Sequence, residues 1–147
     1  MFTHQETREM PYSADQMFDL VADVKQYPAF LPWCLASRVT TLDAETLMAD
    51  LVVGYQFYKE TFTSKVILTP KTGVEVQYQQ GPFQVLNNRW TFTAIDEKCC
   101  TIDFLVDFQF KNPLFERVLT DFFEKATKRM VQAFEERAHL LYNRKVA

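Results

Sequence analysis

The chain has 147 residues, with 16 Lys and Arg against 19 Asp and Glu for a formal charge of -3, so it has no basic field to recruit DNA and no acidic tail. A chain this long buries about two-thirds of its unfolded surface, and without a Ser/Gly/Pro-rich linker or an internal repeat, residues 1–147 are expected to form one domain. The apolar run near the N-terminus, residues 30–36, is broken by Pro32, which excludes a membrane-spanning helix or a secretory leader there.

The three cysteines are Cys34 and the neighbours Cys99 and Cys100. Their number is odd, and adjacent residues on a strand face opposite ways, so reduced thiols in a cytoplasmic setting are expected rather than a disulfide. Fourteen Phe against three Gly predict a bulky, aromatic interior.

In chain order, residues 2–10 alternate weakly before Pro11 and read as a first strand. Ser13 and Gln16 form an S-x-x-Q capping box, and Tyr12 and Met17 occupy the positions of a hydrophobic staple, so a helix begins at Ser13. Met17, Phe18, Leu20, Val21 and Val24 supply its buried face, and Pro28, by biasing Tyr27 away from helical geometry, should end it near Lys25. Residues 27–34 place two prolines among Tyr27, Phe30, Leu31 and Trp33. A rigid apolar turn follows, which either plugs the end of the core or rims a cavity.

From Leu35 the period changes to two. Leu47, Ala49, Leu51 and Val53 form one such face, as do Val74, Val76 and Tyr78, then Trp90, Phe92 and Ala94. The clearest set is Ile102, Phe104, Val106, Phe108 and Phe110. Residues 37–43 and 57–69 are also strand-like, with a bulge expected between Phe57 and Phe62 where the alternation slips. The connections near Asp43, Lys71 and Asp96 are too short for a parallel crossover, so successive strands must be antiparallel. Asn112 and Pro113 then signal a helix start. Phe115, Leu119, Phe122, Ala126, Met130, Ala133, Phe134, Ala138 and Leu141 recur at helical spacing without Gly or Pro between them, predicting one helix over residues 112–142, about 45 Å long. The fold class is α+β: a curved antiparallel sheet with a long C-terminal helix across its apolar face, the two enclosing a space.

Chemistry is sparse. His4 and His139 lie at opposite ends in no recognisable motif, so no nucleophile and base pair is evident and no catalytic residue is assigned. Cys99 and Cys100 lack zinc-ligand spacing, and no metal is expected. Gly54, Gly73 and Gly81 stand singly, so there is no phosphate loop, and Gly81-Pro82 reads as a turn before Phe83. Asp103 and Asp107 share a polar strand face, where solvated carboxylates are ordinary. Lys125, Lys128 and Arg129 make a small basic patch, with Glu124 placed to pair with Lys128. A solvated helix face and a contact with anionic lipid or RNA both fit it. The apolar space, with few groups to fix a polar substrate, suits a large hydrophobic ligand.

The ordered set Tyr27-Pro28, Phe30-Leu31-Pro32-Trp33-Cys34, Gly81-Pro82-Phe83, Trp90 with Phe92, Phe104 with Phe108 and Phe110, and Met130-Val131-Gln132-Ala133-Phe134 with Arg137-Ala138 resembles the coenzyme Q-binding START-domain family. This is the bacterial branch of the polyketide cyclase-like, START-related superfamily that includes a ribosome-association toxin. The resemblance implies a helix-grip, Bet v 1-like fold with a hydrophobic tunnel. It implies no required cofactor, ubiquinone or a related polyprenyl lipid as bound ligand, and a non-enzymatic role as a lipid chaperone in respiratory electron transport or quinone biosynthesis. The alternative partner it implies is the large ribosomal subunit, with subunit association blocked; a cyclase-like enzyme is a second alternative. Carried over onto this sequence, Trp90 lines the cavity, and Phe30, Leu31 and Trp33 form its lining and mouth. Periodicity adds Phe83, Phe92, Phe104, Phe108, Met130 and Phe134 as inward-pointing, although core and lining look alike in sequence. Transient peripheral contact with the inner face of a membrane is expected through Phe30 and Trp33.

Overall fold

In the computed structural model, which describes residues 1–55 and 57–142, the period-two segments become seven strands. They are β1 (Phe2–Met10), β2 (Cys34–Asp43), β3 (Thr46–Tyr55), β4 (Tyr58–Thr69), β5 (Gly73–Gln80), β6 (Phe83–Ala94) and β7 (Cys100–Phe110). They form one sheet in the order β1-β7-β6-β5-β4-β3-β2, every neighbouring pair antiparallel. The short connections therefore have the consequence expected of them. Along β7 each alternate residue from Cys100 to Phe110 is buried, and covering a side chain such as Ile102 or Phe104 is worth about 1.5–3 kcal/mol relative to leaving it wet. β7 pairs with β1 on one side and β6 on the other.

The expected bulge between Phe57 and Phe62 is not there. β3 and β4 pair without a slip from Thr46 with Ile67 to Tyr55 with Tyr58. The irregularity lies on the other edge of β4, between Thr63 and Ser64 where it meets β5. Nearby, Gly81 turns the chain into β6 with φ +146°, and a Cβ built there would stand 2.5 Å from the Cβ of Phe62. The Gly81-Pro82 turn thus needs glycine for both its dihedral and its close approach.

Helix α1 (Ala14–Ala22) starts as its sequence signals. Ser13 Oγ accepts from the Gln16 N–H at 3.1 Å, and Gln16 Oε1 accepts from the Ser13 N–H at 3.0 Å. It stops three residues before Lys25, and Val24–Ala29 form a 3-10 turn that contains Pro28. The ladder ends at Asp23 (φ -85°, ψ 69°), five residues before Pro28, and the proline is tolerated inside the tighter winding that follows.

The single C-terminal helix is divided in two. α2 (Pro113–Lys128) ends at Arg129 (φ -101°, ψ 2°), whose N–H bonds back to the Ala126 carbonyl at 3.2 Å, and α3 (Met130–Tyr142) follows. A straight rod of about 45 Å cannot follow a concave sheet; divided at Arg129, the two segments seat both Phe123 and Phe134 against it. The buried row is Leu119, Phe123, Thr127, Val131, Phe134 and Ala138, while Phe115, Phe122, Ala126, Met130, Ala133 and Leu141 of the expected stripe are half-buried beside it. Helix α3 is pinned on its polar side: Arg8 reaches Glu135 at 3.0 Å, Tyr142 donates to the Gln16 carbonyl at 3.0 Å, and Tyr12 bonds His139. Helix α2 is held through Leu119 and Phe123, with Phe115 against Tyr58 at 6.1 Å.

The core also takes in Cys34 and Cys100. Burial raises each thiol from 9.0 to about 11, because a thiolate is poorly solvated there. Both folded pKa values lie above the unfolded ones, so this contribution to stability is complete below pH 9 and is lost as pH rises toward 11. At pH 8 a thiol-specific disulfide reagent should therefore label half-buried Cys99 in the native protein and reach Cys34 and Cys100 only after unfolding. Fast native labelling of all three cysteines would contradict their placement.

Candidate ligand cavity

Because side chains alternate along each strand, the inward residues of five adjacent strands converge beneath the helices. Ala49, Leu51 and Val53 come from β3, Phe62, Ser64 and Val66 from β4, and Val74 and Val76 from β5. Phe83, Leu86, Asn88 and Trp90 come from β6, and Phe104, Val106 and Phe108 from β7. The roof is the α2–α3 junction, with Phe123, Ala126, Thr127, Met130 and Phe134, and the end wall is Val24, Tyr27 and Trp33. Between them lies a cavity of about 110 Å³. That is somewhat less than the 150 Å³ or so that accommodates a benzene ring, and well under the roughly 300 Å³ at which drug-sized sites begin. A larger guest is admitted only if the roof yields.

The walls are rigid where rings interlock. Trp90 stands 4.5 Å from Phe104 and 4.9 Å from Phe134, joining floor to roof. Phe83 stacks on Phe110 at 4.9 Å and meets Phe108 edge-on at 6.1 Å. Such pairs add about 0.5–1.5 kcal/mol beyond the area they bury.

Polar lining is limited to a few groups. Tyr27 donates its hydroxyl to the Val21 carbonyl at 2.5 Å, and burial, aided by Cys34 and Asp23, pushes its pKa far up, so the phenol stays neutral. Asn88 donates its amide to the Leu105 carbonyl at 3.1 Å. Thr127 is buried in the roof. Ser64 is 2 % exposed, and its Oγ has no hydrogen-bond partner, a state that costs about 1–3 kcal/mol. Among the described residues the lining contains no Asp, Glu, His, Lys or Arg.

Of the residues singled out in the sequence, Trp33, Phe83, Trp90, Phe104, Phe108, Met130 and Phe134 come together around this cavity. Three do not. Phe92 lies beyond Trp90, edge-on to Phe18 at 6.2 Å, because the apolar face of β6 runs on beneath α1. Leu31 is buried outside the cavity wall. Phe30 packs edge-on against Phe134 at 5.0 Å, with the Arg137 guanidinium 5.3 Å above its ring. Trp33 is only 9 % exposed, so the proline-rich turn folds inward and does not offer the membrane-facing pair expected of Phe30 and Trp33. Lys125, Lys128 and Arg129 are all exposed at the helix junction. Glu124 does not pair with Lys128; the ion pairs among the described residues lie elsewhere. Ser64 and Asn88 were not anticipated, although each interrupts an apolar inward row, Phe62-Ser64-Val66 and Leu86-Asn88-Trp90. A polar residue at an inward position was the available signal.

A family described as "Polyketide cyclase / dehydrase and lipid transport" matches residues 10–135. The chain is 40% identical over 143 residues to the ribosome association toxin RatA of Pseudomonas aeruginosa, covering 97% of this chain and 99% of that protein. It is 34% identical to the coenzyme Q-binding protein COQ10 homolog B, mitochondrial, of Xenopus laevis, covering 96% of this chain and 59% of that one. Among solved structures, the 18 kDa protein CC1736 of Caulobacter crescentus superposes with a TM-score of 0.74 at 32% identity, covering 97% of this chain and 99% of that one. A Streptomyces aromatase/cyclase superposes at 0.78 over 97% of this chain and 98% of that one, where 14% identity speaks for the fold alone. Sheet and helices have the START-like, Bet v 1-like helix-grip arrangement, and the chain belongs to the polyketide cyclase/dehydrase and lipid transport family.

Proposed function

We propose that this protein binds a large, ring-bearing apolar lipid, ubiquinone or a related polyprenyl compound, in the cavity beneath the α2–α3 junction, and carries it without transforming it. The observation that supports this most is the cavity itself, an aromatic hollow roofed by helix and floored by sheet, with no charged side chain among its described lining residues. General acid or base work needs a titratable group near the operating pH, and the lining offers only a phenol pushed far out of that range. The name of the Xenopus relative points the same way. Delivery to respiratory or biosynthetic partners at a membrane surface follows from the low water solubility of such a cargo. No helix among the described residues is long and apolar enough to cross a membrane.

Mass spectrometry of an organic extract of the protein purified from its own cells should reveal a polyprenyl quinone. Ala126→Leu adds three carbons to the half-buried roof over the cavity, which should lower that occupancy about tenfold or more, since overpacking typically costs 1–3 kcal/mol. The thermal midpoint of the empty protein should hold or rise as the hollow fills. An unchanged quinone content in the folded variant would remove the cavity from consideration as the binding site.

A second reading, binding to the large ribosomal subunit, is favoured by the full-length match to the Pseudomonas protein named for ribosome association and by the exposure of Lys125, Lys128 and Arg129. Three phosphate contacts would make affinity fall roughly four- to sixfold for each doubling of salt. Sedimentation with purified large subunits should show that slope, and reversing the three charges to Glu should flatten it. Failure to co-sediment even at low salt rules the reading out.

A further inference from the structure

We infer that Ser64 is the cavity's specificity-determining donor: its hydroxyl is reserved for an accepting oxygen on the guest, and it selects neutral ring compounds bearing a carbonyl or ether oxygen over plain hydrocarbons. The assignment rests on the cavity being a ligand site and says which chemistry that site reads. Four observations support it. Ser64 occupies an inward position between Phe62 and Val66, where apolar packing alone would favour Ala or Val. It is 2 % exposed, and its Oγ has no hydrogen-bond partner. Two other polar groups of the lining are engaged: the amide of Asn88 with the Leu105 carbonyl at 3.1 Å and the hydroxyl of Tyr27 with the Val21 carbonyl at 2.5 Å. The β4–β5 pairing also slips at this point, between Thr63 and Ser64.

A buried water is a poor substitute for a guest, since it needs two to four polar partners, and of the other polar lining groups Asn88 lies two strands away, across β5, Tyr27 donates its hydroxyl to Val21, and Thr127 belongs to the helical roof. An ionic guest is disfavoured as well, because no counter-charge stands among the described lining residues and an unpaired buried charge is far more costly than an unpaired hydroxyl. What fits is one oxygen acceptor on an otherwise apolar, flat body that can lie among Trp90, Phe104 and Phe134. The hydroxyl would donate to that oxygen, and the aromatic walls would be indifferent to its presence.

The test uses two probes of the same shape: a fully substituted 1,4-benzoquinone carrying a hexyl tail, which resists thiol addition, and the equally substituted benzene with the same tail and no ring oxygen. Isothermal titration calorimetry on wild type, Ser64→Ala and Ser64→Thr gives the affinities, and thermal melts of the empty proteins give the stabilities. Ser64→Ala should weaken the quinone roughly tenfold and leave the hydrocarbon within about twofold, while the melting temperature of the empty protein stays level or rises because an unpaired hydroxyl has gone. Ser64→Thr, which restores a hydroxyl, should recover the preference for the quinone. Equal loss of both probes in Ser64→Ala, or no loss of either, would overturn the role assigned to Ser64 while leaving the cavity a binding site. If neither probe binds wild type, the carrier reading falls, and this assignment falls with it.

Discussion

The structure depends on a mismatch of widths. Seven strands about 4.8 Å apart span roughly 29 Å, while a helix with its side chains is only about 10–12 Å across. One apolar sheet face must be covered by α1 and by the α2–α3 pair, and a flat arrangement would leave much of it wet. Curving the sheet around the helices closes most of the gap. What remains, after Phe and Trp rings have filled what they can, is the residual hollow of about 110 Å³. The cavity is thus a by-product of covering a broad floor with narrow roof beams, and its largely apolar lining follows from the alternation that made the floor.

That origin explains the division of labour in the roof. Helix α3 is tied down by polar contacts to β1 and α1, through Arg8 with Glu135 and Tyr142 with the Gln16 carbonyl, whereas α2 rests on the sheet through apolar side chains. Apolar contacts are non-directional, so they tolerate sliding that a fixed hydrogen bond does not. Ring contacts join both halves to the floor, Phe123 to Phe110 at 5.6 Å and Phe134 to Trp90 at 4.9 Å, and the polar ties are added on the α3 side.

Much of this architecture could be read in the sequence because period and turn chemistry are local. The alternation through Ile102, Phe104, Val106, Phe108 and Phe110, the capping box at Ser13 and the start at Asn112 each needed only a few neighbouring residues. What escaped was set by tertiary shape. The division at Arg129 has no Gly or Pro to announce it and arises from laying a helix along a concave surface. The alternation points to a bulge between Phe57 and Phe62, and the irregularity occurs between Thr63 and Ser64, where β4 meets β5. Phe30, Leu31 and Phe92 are as apolar as the cavity residues, and only the path of the chain separates those that line a space from those that fill one. Ser64 went unread: it interrupts an inward apolar row, but whether a partner stands opposite it is decided by strands distant in sequence.

The Gly81 turn has a consequence of its own. It lies at the rim, yet its backbone abuts Phe62, whose ring forms part of the interior wall. Any side chain there would collide with the backbone of β4 at Phe62, so a change in the turn would be felt by the strand that carries this wall residue. The position of one cavity wall is therefore tied to a turn residue that does not line the cavity.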